Sequence, residues 1–334
     1  MSKVRVCHLN VVEICAGAGG QSLGLEQAGF RHCGAIDVDV DACLTLRRNR
    51  PNWPVAEEDI SDTDGSQFKG IDLLAAGLPC PPFSIAGKQL GSQDERNLFP
   101  QALRLVRQSL PTAVLIENVR GLAGARFAAF RRDFMEQLTK LGYETFWKLL
   151  NASDYGVPQL RPRFVLVALK PPYSERFHWP LPHGAPPTVG ETLRDLMASR
   201  GWLGASDWAA AADTVAPTIV GGSKKHGGPD LGPTRAREQW RNLRVDGLGI
   251  ADFPPGSEFP EDRLPRLTTR MVARLQGFPD TWLFAGSKTA AYRQVGNAFP
   301  PPVARAVGQS IRAALQGEEI THPGQISLPS STTP

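Results

Sequence analysis

Five short runs of the chain, Val11 to Cys15, Gly34 to Asp37, Ile71 to Ala75, Ala113 to Ile116 and Phe164 to Ala168, are apolar almost without interruption instead of alternating. Strands of that kind are covered on both faces. Helical patterns such as Gln21 to Ala28 stand between them, so the first half reads as β-α units on a parallel sheet. The expected fold is α/β, a doubly wound and mostly parallel sheet, with a smaller inserted domain. Ligands of such sheets bind outside the carboxyl ends of the strands.

At 334 residues, 41% hydrophobic and 21% charged, the chain can bury one large core and a second small one. From about Pro171 the texture turns to Pro, Gly, Trp and basic residues with no sustained period, until a helical pattern resumes near Thr269. The expected divisions are 1–171, an inserted lobe 172–264, a return over 265–317, and a polar, disordered tail 318–334. Lys224, Lys225, Arg235, Arg237, Arg241 and Arg244 crowd the lobe, and the net charge of +4 suits a polyanionic partner. No apolar run approaches the roughly 20 residues that cross a bilayer. MSKVRVCHLN leads straight into a strand, so the cytoplasm is the expected address. Five cysteines, odd in number and without a C-x-x-C pair, argue against a disulfide framework or structural zinc.

The first strand runs into a loop holding Gly17, Gly19 and Gly20, where backbone must approach a ligand closely. The spacing is not G-x-G-x-x-G, and Glu13 in the strand would repel a phosphate, so a nicotinamide dinucleotide is excluded. A nucleoside without phosphate, carrying an amino acid, fits better. Asp37 ends the second strand, where a carboxylate can accept both ribose hydroxyls; Asp39 and Asp41 are weaker choices. Asp59-Ile60, closing a third short strand, offers a carboxylate to an exocyclic amine and an apolar side to a purine.

After the strand Ile71 to Ala75, GLPCPPFS sets Cys80 between Pro79 and Pro81 in a stiff turn at the ligand edge. A thiol near its ordinary pKa of about 8.5 is only a few per cent ionised at neutral pH, so it needs cationic or hydrogen-bonding neighbours to react. Glu117, following AVLI, brings a carboxyl group to the same edge. Arg161 and Arg163, two positions apart before FVLVALK, point to one side of an extended segment.

These residues resemble the C5-cytosine DNA methyltransferases of bacterial restriction-modification systems, from about Val11 to Pro302 apart from the basic lobe. EICAGAGG resembles the family's cofactor loop, and Asp37 and Asp59-Ile60 its ribose and adenine contacts. GLPCPPFS resembles the nucleophile motif, Glu117-Asn118-Val119 the E-N-V motif and QLRPR the Q-x-R-x-R motif. Arg266 to Asp280 resembles the motif supporting the recognition lobe, and Gln294 to Ala304 the last motif, which folds back beside the cofactor. Pro81 stands where the family more often has Gln, and Glu13-Ile14-Cys15 where it usually has Asp-Leu-Phe.

The resemblance implies a Rossmann-like fold using S-adenosyl-L-methionine, no metal, and Cys15, Gly17, Gly20, Asp37, Asp59, Ile60, Pro79, Leu98 and Asn297 at the cofactor. It implies Cys80 adding to carbon 6 of a flipped-out cytosine, Glu117 protonating nitrogen 3, and Arg163 holding the 2-oxo group with Arg161 assisting. It makes 172–264 the target-recognition domain and Ser84 to Arg96 a loop closing over DNA. The expected partner is double-stranded DNA, bound by a monomer at the nucleoid, with a cognate restriction endonuclease encoded nearby. A tRNA cytosine-5 methyltransferase of the same architecture is the alternative; its members have a smaller lobe and usually a Cys-Phe-Thr element that is absent here. A regulator that has lost catalysis would not need Cys80, Glu117, Arg161 and Arg163 together.

Overall fold

Apolar faces on both sides of each central strand leave only one stable arrangement, a sheet sandwiched between helices. In a computed structural model, which describes residues 8–79, 97–222, 228 and 230–318, the strands are β1 (Leu9–Ile14), β2 (Phe30–Asp37), β3 (Val55–Glu57), β4 (Leu73–Gly77), β5 (Ala113–Val119), β6 (Glu144–Asn151) and β7 (Pro162–Leu169). They form one sheet in the order β3-β2-β1-β4-β5-β7-β6. The first five are parallel, while β7 runs antiparallel between β5 and β6. Each of the five runs expected from the sequence overlaps a strand, although Cys15 lies beyond β1 and Ile71-Asp72 before β4. The third strand, however, stops at Glu57, short of Asp59, and β5 extends through Glu117 to Val119.

Alternate residues of each strand feed opposite cores, the period of two expected of a pleated ribbon. Val12, Ile14, Leu74, Ala76, Val114, Ile116, Phe164 and Leu166 pack on one face, with α3 (Phe99–Ser109) and α4 (Ala128–Lys140). Val11, Leu73, Ala75, Leu115, Val165 and Val167 pack on the other, against α1 (Gly20–Gln27) and α10 (Pro301–Gln316). There α1 lies directly on α10: a Cβ added to Gly24 would stand 2.5 Å from the Pro301 carbonyl oxygen and 2.5 Å from Ala304 Cβ. α2 (Val40–Asn49) follows β2, its N-terminus capped by Asp39, whose side chain accepts from the Asp41 and Ala42 amides.

The segment expected to lack a regular period holds three helices, α5 (Val189–Ala198), α6 (Ala205–Ala211) and α7 (Thr234–Asn242). Pro and Gly residues crowd the stretches between them and break up any longer period. Thr188 and Glu191 nonetheless form a capping box, a start signal present in the sequence. The lobe helices share a buried cluster with Leu23 of α1, Leu46 of α2, Met271 and Leu275 of α8 (Thr269–Leu275), and Tyr292 and Val295 of α9 (Lys288–Asn297). Ion pairs reinforce that seam. Arg274 of α8 meets both Asp280 and Asp195 of α5, and donates to the Thr192 carbonyl at 3.0 Å. Hydrogen bonding by Arg274 and Arg270 lowers the Asp280 carboxyl to about 2. No helix among the described residues is long and apolar enough to cross a membrane.

A methyl group at position 24 has nowhere to go, because both nearest atoms belong to the backbone or first carbon of α10. Gly24→Ala is expected to cost about 1–3 kcal/mol by overpacking, despite alanine's better helix propensity. Equilibrium denaturation in urea checks this; an unchanged or raised midpoint would show that the helices separate freely.

Candidate active site

The carboxyl ends of β1, β2, β4 and β5 converge on one edge, and hydrogen-bond register fixes who meets whom there. β1 ends at Ile14, and Cys15 turns the chain with φ 50°, followed by Gly17 at φ 54° and Gly19 at φ 86°. The Gly17 amide donates to Asp37 Oδ2 at 2.7 Å, and the Asp39 amide to Asp37 Oδ1 at 2.8 Å. Thus the loop after β1 is tied to the end of β2 through one carboxylate. Burial pushes the Asp37 carboxyl up, opposed by these two amides.

A Cβ on Gly17 would meet nothing within 4 Å, so the backbone borders open space. Gly19 is different: a Cβ there would fall 2.7 Å from Leu46 and 2.8 Å from Trp282. Trp282 also donates its indole N–H to the Ala18 carbonyl at 3.1 Å, so a tryptophan from far along the chain floors the loop. The sequence offered no sign of this.

Ile60 is buried in the same apolar cluster as Leu78, with Cys15 and Leu98 packed against it. Asp59 stands exposed beside it; the Ser61 amide donates to it at 2.8 Å and lowers its carboxyl. Burial, reinforced by Asp37, Asp59 and Glu13, pushes the Cys15 thiol far up and keeps it neutral. Two carboxylates, open glycine backbone and an apolar floor suit an adenosine without phosphate. They would repel a pyrophosphate.

Cys80 and the loop Ser84 to Arg96 lie outside the described residues, as do Lys224 and Lys225. What leads to Cys80 is described. Gly77 of β4 is paired in register with Glu117 of β5, and Asn118 donates its side-chain amide to the Leu78 carbonyl at 3.1 Å. Asn118 therefore fixes the strand end that runs through Pro79, a role the sequence reading left unassigned.

Glu117 lies in β5, not after it, and its carboxyl is almost wholly buried. Across the ladder Val119 pairs with Arg163, which sets Arg163 diagonal to Glu117; its Nε lies 2.8 Å from Glu117 Oε1. Burial pushes the Glu117 carboxyl up, while Arg163 and then Arg161 draw it down, with burial dominant. Arg161, fully buried, turns its guanidinium to carbonyls: Nη1 donates to Ile219 at 2.6 Å, Nη2 to Gly296 at 2.7 Å and Ala298 at 2.9 Å. Neither arginine is a solvated surface group. Asn297 ends α9 exposed, its side-chain amide donating to the Gly222 carbonyl at 3.2 Å.

The model of the family described as C-5 cytosine-specific DNA methylase matches residues 9–313. The chain belongs to that family. It is a DNA (cytosine-5-)-methyltransferase. It is 57% identical over 316 residues to the Type II methyltransferase M.NaeI of Lentzea aerocolonigenes, covering 93% of this chain and 76% of the relative. To M.NgoMIV of Neisseria gonorrhoeae it is 52% identical, covering 92% and 98%. Among solved structures, a putative DNA modification methyltransferase encoded within an E. coli prophage superposes with a TM-score of 0.64 at 23% identity, covering 92% and 99%. Spodoptera frugiperda DNMT2 superposes with a TM-score of 0.65 at 17% identity, covering 91% and 99%, a likeness of fold alone. Among the described residues of the methylase, no group of three or more His, Cys, Asp or Glu could hold a metal ion.

Removing one partner of a buried ion pair strands the other, a loss of about 3–5 kcal/mol. Arg163→Met is expected to destabilise the methylase by up to that order at a pH where Glu117 is ionised. Arg163 favours only the ionised carboxyl, so the deficit should shrink as pH falls through the raised pKa of Glu117. Urea midpoints of both proteins at pH 5 and pH 8 check this; a gap that does not change with pH would mean Glu117 is not the group concerned.

Proposed function

We propose that the methylase transfers a methyl group from S-adenosyl-L-methionine to carbon 5 of a cytosine held outside a specific DNA duplex, through a transient bond to Cys80. The observation that supports this best is the pairing of buried Glu117 with Arg163 on the strand registered against Gly77, three residues before Cys80. Bound S-adenosyl-L-methionine supplies the electrophilic methyl group. Asp37 would hold its ribose, Asp59 and Ile60 its adenine, the backbone of Gly17 and Gly20 its amino-acid part, and Cys15, Pro79, Leu98 and Asn297 the remaining border.

Carbon 5 of cytosine is too weak a nucleophile unaided. The Cys80 thiolate adds to carbon 6, and the displaced ring electrons make carbon 5 enamine-like as nitrogen 3 takes a proton. Glu117, its acid form favoured by burial, donates that proton and accepts from the 4-amino group. Arg163 holds Glu117 in place and offers its remaining donors to the 2-oxo group. After methyl transfer, nitrogen 3 returns its proton to Glu117, the carbon 5 proton leaves to solvent, its electrons re-form the carbon 5–carbon 6 double bond, and Cys80 is expelled as the thiolate. A thiolate cannot reach carbon 6 inside a duplex, so the nucleotide is flipped out, at a cost of a few kcal/mol. The lobe 172–264 recognises the target sequence, with Arg235, Arg237, Arg241 and Arg244 among its cations. A restriction endonuclease sharing that target is the natural partner, since similar proteins are Type II methyltransferases.

Incubation with a duplex carrying 5-fluorocytosine should leave the wild type covalently attached, because fluorine cannot leave as a cation, and Cys80→Ala unattached. Failure of the wild type to attach would refute the nucleophile. Glu117→Gln should lower kcat roughly 10²–10⁴-fold, and wild-type activity should decline as pH rises through the raised pKa of Glu117. Methyl incorporation confined to tRNA, with none into duplex DNA, would support the alternative substrate.

A further inference from the structure

Arg161 stands where three segments meet, and each is held by its backbone. Its Nη1 takes the Ile219 carbonyl of the lobe at 2.6 Å, and its Nη2 the Gly296 and Ala298 carbonyls, at 2.7 Å and 2.9 Å, at the turn from α9 into α10. Gln159 and Gln276 complete the knot. The Ile219 amide donates to Gln159 Oε1 at 2.9 Å, Gln159 and Gln276 bond each other, and Gln276 donates to Ala298 at 2.9 Å.

Contacts without intervening side chains carry this arrangement in both directions. A Cβ on Gly296 would lie 2.4 Å from the Gly221 nitrogen, so α9 rests on the lobe backbone itself. A Cβ on Gly20 would lie 2.3 Å from the Phe299 oxygen and 3.0 Å from Ala298 Cβ. The turn that Arg161 holds is therefore the wall against which the glycine loop of β1 rests.

We propose that Arg161 is a positioning residue: it sets the α9–α10 turn that backs the glycine loop and ties that turn to the recognition lobe. It does not touch the flipped base. This rests on the cofactor reading above. A guanidinium suits the task because its planar fork meets several carbonyls at fixed angles, whereas an ammonium is a single point.

The test is cofactor affinity without DNA, a property that a residue acting on the base would not alter. Binding of S-adenosyl-L-methionine is measured by calorimetry at a temperature where circular dichroism shows each protein folded. Arg161→Gln and Arg161→Lys are both expected to bind roughly tenfold more weakly than wild type, the scale of one or two lost charge-assisted hydrogen bonds. Gln159→Leu keeps Arg161 but removes the acceptor of the Ile219 amide, at 2.9 Å, and the bond to Gln276. It should weaken cofactor binding as well, and it decides the matter should the Arg161 variants not fold. Wild-type affinity in the folded Arg161 variants, with methyl transfer lost, would overturn the proposal and place Arg161 at the base. Wild-type affinity in Gln159→Leu would overturn the link to the lobe. If the wild type itself does not bind S-adenosyl-L-methionine, it is the cofactor reading that fails.

Discussion

The Glu117–Arg163 pair ties the sheet together at its functional edge, because a guanidinium or an ionised carboxyl buried there is costly without its partner. Two nearly inaccessible side chains, with Nε 2.8 Å from Oε1, meet because β5 and β7 are neighbours in one register. The antiparallel entry of β7 is what makes that meeting possible. An antiparallel β7 brings its first residues, not its last, to the carboxyl edge of β5. A residue at the start of a strand thus joins residues at the ends of β1, β2 and β4 in one cleft.

Everything around the pair serves close approach. Gly77 stands opposite Glu117, and a Cβ there would press on the Cys15 carbonyl at 3.2 Å. Gly20, Gly24 and Gly296 bring α1, α10, α9 and the lobe into contact at backbone distance. The buried clusters then join instead of merely abutting, with Leu46 and Leu23 sharing a core with Trp240 of the lobe. Arg161 bonds the Ile219 carbonyl on one side and the Gly296 and Ala298 carbonyls on the other, so the same seam is crossed by hydrogen bonds as well as by apolar packing.

The central strands were legible because burial on both faces leaves no polar positions to dilute the signal. β6 escaped notice for the opposite reason: as the edge strand it carries Glu144, Lys148, Trp147 and Leu149 exposed or half-exposed, and its pattern resembles a loop. The lobe helices escaped among their Pro- and Gly-rich connections, even though Thr188 and Glu191 announced one of them. Glu117, Arg161, Arg163 and Asp37 could be chosen from type and order alone. Asn118, Trp282 and Gln276 could not, since their roles arise from contacts spanning 40, 264 and 22 positions.

The departure at Glu13 has a local physical basis. A strand residue between Val12 and Ile14 faces α1, and a glutamate there spans the gap to two further elements. Its Oε1 accepts from Gln21 of α1 at 3.2 Å, and its Oε2 lies 3.5 Å from His32 Nε2 of β2. His32 in turn stacks on Trp53 at 4.0 Å, and Arg50, paired with Glu26, lies over both Trp53 and Trp282. A carboxylate one methylene shorter would reach less far towards either partner. The same string of contacts ends at Trp282, which lies under the glycine loop.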